Sequence, residues 1–176
     1  ISGRDLKPGD VVLGLVSSGL HSNGYSLVRK IVEVTGADLA SDFHGRPLGE
    51  VLLEPTRIYV KPLLALMQEI TVKGMAHITG GGITGNVPRI LPDDCTAVID
   101  SKSWTWPAVF QWLQQGGNVA LAEMHRTFNC GIGMVVVVAP ADAAATMDFL
   151  KSQGETVYRL GEIRARQAGQ EQTIIL

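Results

Sequence analysis

A continuous apolar run at residues 134–139, introduced by a polar segment at 124–134, constrains the fold of this chain more than any other feature. An uninterrupted apolar run of this length predicts a buried strand. The segment before it holds one cation, Arg126, the small polar residues Thr127 and Asn129, and glycines. Polar groups held at the end of a rigid strand, with backbone that a ligand can approach, are typical of a small-molecule site.

Two other segments, residues 17–25 and 77–89, have the same mixture of small polar residues and glycines. The first lies between an apolar strand at 11–16 and a helical pattern at 25–34. This order of strand, polar glycine loop and helix points backbone N–H groups at whatever lies over the helix N-terminus. The chain therefore carries three candidate site loops.

The composition predicts one globular domain over residues 1–176, with 45% hydrophobic and 18% charged residues. A net charge of −2 argues against a nucleic-acid partner, which requires a basic face. No apolar stretch reaches the roughly 20 residues of a membrane span, and no signal peptide is visible. We expect a cytoplasmic protein with Cys95 and Cys130 as reduced thiols, and, since the chain starts with Ile1, a piece of a longer protein.

Alternating strand and helix patterns predict an α/β or α+β class, with helices covering a mixed sheet. No repeat or linker is visible. The predicted strands are 11–16, 51–55, 75–79, 96–100, 134–139, 155–158, 161–165 and 173–176. The predicted helices are 25–34, 61–70, one or two turns in 83–91, a helix capped by Ser103 that ends at 115, 119–125 and 141–153, and residues 166–171 are expected to form a hairpin turn.

The loop at residues 17–24 offers hydroxyls, an amide and N–H groups to an anion or polar ligand. The same residues are also typical of a tight loop in which Ser22 or Asn23 caps the helix, although a cap needs only one such residue. His21 would donate to a phosphate, act in acid–base chemistry, or simply be exposed. The residues alone do not decide between these roles for the loop and for His21.

The triplet Gly80, Gly81 and Gly82 permits close approach by a ligand or close packing of another segment, and the sequence does not separate the two. Arg126 suits either a bidentate contact to an anion or an internal salt bridge. Cys130 lacks a visible base and is not expected to be a nucleophile. No paired carboxylates stand out, so a metal that accompanies a nucleotide would be held elsewhere.

Together these motifs resemble a known family. The runs SSGLHSNGYSLVRK, LLEPTRIYVKPLL, HITGGG, NVPRILPD and above all RTFNCGIGM are similar to the C-terminal domain of aminoimidazole ribonucleotide synthetase. The resemblance covers the chain from Gly9 to the final strands. One departure is Gly85, where the family usually has a glutamate.

The resemblance implies an α+β fold of three layers, α/β/α, with a mixed sheet that is partly ferredoxin-like. It implies an enzyme that uses ATP and Mg²⁺ to close the ring of formylglycinamidine ribonucleotide, giving aminoimidazole ribonucleotide, ADP and phosphate in purine biosynthesis. Members of the family are homodimers of two-domain chains. The N-terminal domain, absent here, holds most ATP and metal ligands, so we expect no metal site in this domain and no turnover by this chain alone.

The resemblance also assigns candidate roles. His21 and Arg126 are the candidate catalytic residues. The candidate substrate- or phosphate-binding residues are Ser18, Ser22, Asn23, Gly80, Gly81, Gly82, Thr127 and Asn129. Two alternatives remain: a related ATP-using synthetase or kinase, such as a selenophosphate synthetase, and a non-catalytic ligand-binding or interaction domain.

Overall fold

The computed structural model describes residues 1 and 3–176, and its centre is a six-stranded sheet. The strands are β1 (Val11–Val16), β2 (Asp42–Phe43), β3 (Arg46–Pro47), β4 (Val72–His77), β5 (Cys95–Ile99), β6 (Ile132–Val138), β7 (Val157–Ala165) and β8 (Thr173–Ile175). The large sheet has the order β4-β6-β1-β7-β5-β8, and β2 pairs with β3 in a separate hairpin. All neighbours in the large sheet are antiparallel except β5 and β8, which are parallel.

The helices lie on both sides of this sheet. They are α1 (Tyr25–Thr35), α2 (Leu48–Leu52), α3 (Val60–Glu69), α4 (Gly82–Asn86), α5 (Ala108–Gly117), α6 (Leu121–Thr127) and α7 (Ala143–Ser152), with 3-10 turns at Val87–Ile90 and Pro140–Asp142. Among residues 1 and 3–176, no helix combines the length and the hydropathy that a membrane crossing requires.

Four of the strands and two of the helices form a ferredoxin-like unit. Along the chain this unit runs β1-α3-β4-β6-α7-β7, and its strands have the spatial order β4-β6-β1-β7. Helices α3 and α7 both pack on one face, where Leu66 and Leu150 join a cluster with Leu13 and Val136. The ferredoxin-like part of the predicted fold is confirmed.

The opposite face of the sheet buries Val12, Val135 and Leu160 against Ile83 of α4 and Trp104. Beside it, residues of α1, α2, α5 and α6 form a further apolar cluster that includes Phe110 and Phe128. Helices therefore cover both faces of a mixed sheet, as predicted for an α+β protein. Strand β6 is buried between β1 and β4 because its valines fill both faces of the pleat.

Two predictions in the first two thirds of the chain are wrong. Residues 51–55 are not a strand: α2 ends at Leu52, and Leu48 and Leu52, four residues apart, are buried on one side of it. Ser103 does not cap α5, because its hydroxyl donates to the Asp100 carbonyl in a turn and the helix begins only after Pro107.

Two predictions near the C-terminus are also wrong. The expected strands at 155–158 and 161–165 are one strand, β7, which continues through Gly161 beside the Val98 carbonyl, where a side chain has no room. Residues 166–171 do not form a hairpin, because β8 pairs in parallel with β5 rather than folding back on β7.

The topology brings the three candidate loops to one edge of the sheet. Strand β6 is antiparallel to both β1 and β4, and Met134 faces Leu15 on one side and His77 on the other. Consequently the loops that follow β1 and β4 and the loop that precedes β6 emerge together. Segments more than 40 residues apart in sequence thus become neighbours.

A buried ion pair ties the opposite end of the sheet together. Asp10 is fully buried and accepts from Lys73 Nζ at 2.6 Å, while its second oxygen accepts from the Lys7 backbone N–H at 2.9 Å. The Lys73 side chain is only 14% exposed. The pair links the start of β1 to β4 across the end of β6.

We expect Asp10→Asn to lower the free energy of unfolding by about 3 kcal/mol, because it leaves the Lys73 ammonium largely buried without its counter-charge. Urea denaturation measures this change. Glu33→Gln is the matched control: it breaks the Lys30–Glu33 pair, whose side chains are 63% and 71% exposed, and should cost less than about 1 kcal/mol. Equal effects of the two substitutions would contradict the structural role of Asp10.

Candidate functional site

Three loops form the candidate site: the first loop (residues 17–24), the second loop (78–82) and the third loop (128–131). The first and third are joined by hydrogen bonds from the Ser17 hydroxyl to Asn129 Oδ1 at 3.0 Å and from Asn129 Nδ2 to the Gly19 carbonyl at 2.8 Å. The Ser17 backbone N–H also donates to the Gly131 carbonyl at 2.9 Å. The first loop meets the second where Asn23 Oδ1 lies beside Gly80.

Asn129 holds this arrangement from inside. It is 1% exposed, and its Oδ1 also accepts from the Gly131 N–H at 2.8 Å. The amide is therefore occupied by bonds to Ser17, Gly19 and Gly131. The role of Asn129 in ligand binding stays a prediction. In the structure, its side chain joins the first loop to the third loop.

The glycines of the triplet differ in their surroundings: Gly82 is packed against other backbone, whereas Gly80 is exposed. Gly82 has a φ of 59° and lies against the carbonyls of His125 and Phe128, where no side chain fits. Gly81 has a φ of 100°, and Gly80 is exposed with only Asn23 Oδ1 near the position of a Cβ atom, at 3.6 Å. Close packing thus explains Gly82, and the exposed backbone at Gly80 remains available to a ligand.

His21 is buried, at 3% exposure, and its Nε2 lies within hydrogen-bond distance of two backbone N–H groups: Ser18 at 3.0 Å and Arg57 at 3.3 Å. A nitrogen that accepts from N–H groups carries no proton, so the imidazole is neutral with its proton on Nδ1. Burial, followed by the charges of His77 and Arg57, lowers the pKa of His21 to about 4. His21 thus shapes the first loop as a hydrogen-bond acceptor.

Three other predicted residues of the first loop reach the surface. Ser18 and Ser22 are exposed, and Ser22 has a φ of 58°. Asn23 is half-buried and donates through Nδ2 to the His21 carbonyl at 2.6 Å, which turns Oδ1 toward Gly80. The structure therefore brings Ser18, Ser22, Asn23 and Gly80 to the same edge of the sheet.

Arg126 and Thr127 lie on the exposed side of α6. Arg126 is 76% exposed with Glu123 at 3.8 Å, and the Thr127 hydroxyl donates to the same carboxylate at 2.8 Å. Within the described residues, no hydrogen bond or ion pair connects either side chain to the first or second loop. Both roles stay predictions that depend on what approaches α6 from solvent.

Cys130 is buried, and burial raises the pKa of its thiol well above the ordinary value. Its Sγ lies 3.4 Å from the Met124 carbonyl. A protonated thiol in this setting is a packing group, in agreement with the expectation that it is not a nucleophile.

Sequence reasoning missed the residues that fix the loops from behind. Asn86, 3% exposed, donates to the carbonyls of Thr79, Gly80 and Gly82 and so shapes the glycine triplet. Arg57 and Glu155 form an ion pair at 3.0 Å beside His21. Asn86 was visible as a polar residue shortly after the triplet, whereas the distance between Arg57 and Glu155 in sequence hides their contact.

The side chains at the candidate site also bear on metal binding. In residues 1 and 3–176, no group of three or more His, Cys, Asp or Glu side chains is arranged to hold a metal ion. The candidate site offers hydroxyls, an amide and backbone N–H groups, which suit a polar or anionic organic ligand.

Comparison with protein families places this geometry in context. The family described as "AIR synthase related protein, C-terminal domain" matches residues 7–173. The phosphoribosylformylglycinamidine cyclo-ligase of Cupriavidus metallidurans is 60% identical over the whole chain, and that of Neisseria meningitidis is 62% identical over 98% of it. The chain covers 50% and 51% of these two relatives, and so spans about half their length.

Solved structures with the same fold are more distant in sequence. Thiamine-monophosphate kinase from Stenotrophomonas maltophilia matches with a TM-score of 0.68 at 14% identity, over 99% of this chain and 52% of its own. Hydrogenase maturation protein HypE in complex with ATP matches with a TM-score of 0.65 at 15% identity, over 99% and 49%. At these identities the likeness concerns the fold alone.

We expect Gly82→Ala to destabilise the protein by more than about 1 kcal/mol, since a Cβ meets the His125 carbonyl and the backbone is in the left-handed region. Gly80→Ala is the matched control in the same triplet and should change stability by less than about 0.5 kcal/mol. Thermal denaturation of the two variants checks the difference. If Gly80→Ala destabilised as much as Gly82→Ala, the division of the triplet would be wrong.

The depressed pKa of His21 predicts acid sensitivity. In the unfolded chain the group titrates near 6.5, whereas in the folded chain it titrates at about 4, so the unfolded state binds the proton first as pH falls. The stability that neutral His21 supports is complete above pH 6.5 and is lost between pH 6.5 and about 4, by roughly 1–3 kcal/mol. Denaturant titrations at several pH values measure this loss.

His21→Gln keeps an acceptor but cannot titrate, so the difference in unfolding free energy between the parent and this variant should change across the same pH window. Other groups, including buried His125, titrate in both proteins and cancel in the comparison. A difference that stays constant from pH 7 to pH 4 would show that His21 is not held neutral.

Proposed function

Because the chain belongs to the AIR synthase related family, matching its C-terminal domain over residues 7–173, we propose that it is the C-terminal domain of a phosphoribosylformylglycinamidine cyclo-ligase. The whole enzyme closes the ring of formylglycinamidine ribonucleotide with ATP and yields aminoimidazole ribonucleotide, ADP and phosphate in purine biosynthesis. The relatives' identity of 60–62% across 98–100% of the chain is the observation that carries this proposal.

The edge of the sheet at the three loops is the proposed substrate side of the active site. Ser22 offers a hydroxyl, Asn23 offers Oδ1 beside Gly80, and the Gly80 backbone is exposed. In phosphoryl transfer, catalysis comes mainly from positioning and from charge stabilisation, for which such groups suffice. Arg126, exposed on α6, and the half-buried Thr127 beside it would meet an anionic group only at the rim of this site.

ATP supplies the phosphoryl group that makes the formyl oxygen of the amidine substrate a leaving group. We place Mg²⁺ and most ATP contacts outside this chain, because the described residues offer no acidic cluster for a metal. His21 is proposed to act here as a neutral acceptor that holds the first loop rather than as a proton donor, since burial disfavours its charged form. We further propose that the full-length enzyme is a cytoplasmic homodimer.

Assay of the full-length enzyme tests the reaction. We expect one ADP and one phosphate for each imidazole ring formed from formylglycinamidine ribonucleotide, and no transfer to thiamine monophosphate under the same conditions. Ring formation that did not require ATP, or absence of ring formation by the folded full-length enzyme, would refute the proposal. The 176-residue chain alone should not catalyse the reaction.

Ser22→Gly tests the place of the site without disturbing the loop, because glycine suits the positive φ of this position. We expect kcat/KM to fall roughly 10- to 100-fold, the value of one hydrogen bond to a charged group. The melting temperature should be unchanged or higher. Asn118→Gly is the matched control at an exposed position with a φ of 46°, and it should leave kcat/KM unchanged. Unchanged activity in Ser22→Gly would remove Ser22 from the site.

A further inference from the structure

A segment without regular structure, residues 54–59, links α2 to α3 and passes directly behind the first loop. We call it the strap. Its Pro55 carbonyl accepts from the Ser18 hydroxyl at 2.6 Å, and its Tyr59 hydroxyl donates to the Val16 carbonyl at 2.8 Å. The strap thus contacts both the end of β1 and the loop that follows.

His21 is the point at which the strap and the first loop meet. Its Nε2 accepts from the N–H of Ser18, in the loop, and from the N–H of Arg57, in the strap. The rings of Tyr59 and His77 pack around the imidazole at centroid distances of 6.1 and 6.3 Å. Because two backbone N–H groups share the single lone pair of Nε2, this nitrogen is a fixed acceptor.

These contacts determine where the Ser18 hydroxyl donates its proton. It has one proton, and the short contact to the Pro55 carbonyl takes it. Its other neighbour, His21 Nε2 at 3.1 Å, already accepts from N–H groups and has no proton to give. The hydroxyl of this exposed serine therefore presents lone pairs to a ligand and has no free proton for a phosphate oxygen.

The position of Arg57 is set from the other side of the strap. Its Nε lies 3.0 Å from Glu155 Oε2, and its Nη2 donates to the Gly154 carbonyl at 3.2 Å. The Glu155 side chain is only 5% exposed, whereas that of Arg57 is 36% exposed. The guanidinium therefore contacts two consecutive residues, the Glu155 carboxylate through Nε and the Gly154 carbonyl through Nη2. These two contacts restrict the backbone that carries Arg57 and so fix where its N–H points.

We propose that Arg57 and Glu155 are positioning residues: they hold the strap so that Ser18 presents its hydroxyl as a hydrogen-bond acceptor to an N–H group of the ligand, such as an amidine. This inference rests on the proposed function for the identity of the ligand. In this proposal Ser18 accepts a hydrogen bond from a nitrogen of the ligand. Ser22 and the Gly80 backbone remain available to anionic groups.

Glu155→Gln in the full-length enzyme tests the positioning role. We expect kcat/KM for the amidine substrate to fall roughly 10- to 100-fold, as for a small displacement of a reacting group, while KM for ATP stays within about twofold. In enzyme carrying ¹⁵N-labelled histidine, the pKa of His21 should rise toward 6.5 as the strap loosens. Arg57→Lys keeps the charge but loses the second contact, from Nη2 to the Gly154 carbonyl, and it should change both readouts in the same direction.

Glu33→Gln repeats the chemical change in an exposed ion pair and should alter neither readout. A lower melting temperature for Glu155→Gln and Arg57→Lys, with substrate kinetics and the His21 pKa unchanged, would reduce the pair to a structural role and overturn the proposal. If the parent enzyme forms no imidazole ring, the proposed function fails, yet the His21 titration still decides whether Arg57 and Glu155 position the imidazole.

Ser18→Ala tests the acceptor role. We expect KM for the amidine substrate to rise roughly tenfold, and the affinity for inorganic phosphate, measured by ³¹P titration, to stay unchanged. A comparable loss of phosphate affinity would show that Ser18 donates to an anion and would contradict the acceptor assignment.

Discussion

The arrangement of this domain depends on the antiparallel pairing of β6 with β1 on one side and β4 on the other. The valines of β6 are buried on both faces of the sheet, so the strand has one stable place, in the interior. Its direction then decides that the loops after β1 and β4 and the loop before β6 share one edge. The site is thus a consequence of strand direction before any polar residue is considered.

At that edge, the buried residues that hold the loops differ from the residues that are exposed to solvent. Asn129, Asn86, His21 and Gly82 are buried and satisfy backbone groups or allow close approach between loops. Ser18, Ser22 and Gly80 remain exposed in front of them. A site whose exposed groups are held by a buried layer of hydrogen bonds presents a fixed geometry to its ligand, which reduces the cost of ordering on binding.

Local patterns predicted much of this fold. The apolar run at 134–139 and the loop–helix pattern at 17–34 identified β6, the first loop and α1, because hydrophobic periodicity and turn residues act over short distances. Short elements carry less signal: the five residues of α2 have little periodicity, and the pattern at 51–55 predicts a strand in their place. The parallel pairing of β8 with β5 was not predictable, because strand partners depend on the whole sheet.

The candidate site shows the same limit. The sequence predicts three site loops and the structure brings them together, but the sequence does not separate exposed residues from those that hold the backbone. Asn129 and Ser22 are both small and polar, yet one is 1% exposed and the other lies at the surface. The contact of Arg57 with Glu155, almost 100 residues apart, follows only from the tertiary fold.

The most direct test of the central claim is a crystal structure of the full-length enzyme with formylglycinamidine ribonucleotide bound. The account predicts the substrate at the edge formed by the first and second loops, within hydrogen-bond distance of the Ser18 or Ser22 hydroxyl and of the Gly80 backbone. A substrate bound productively elsewhere, with none of these groups in contact, would contradict it.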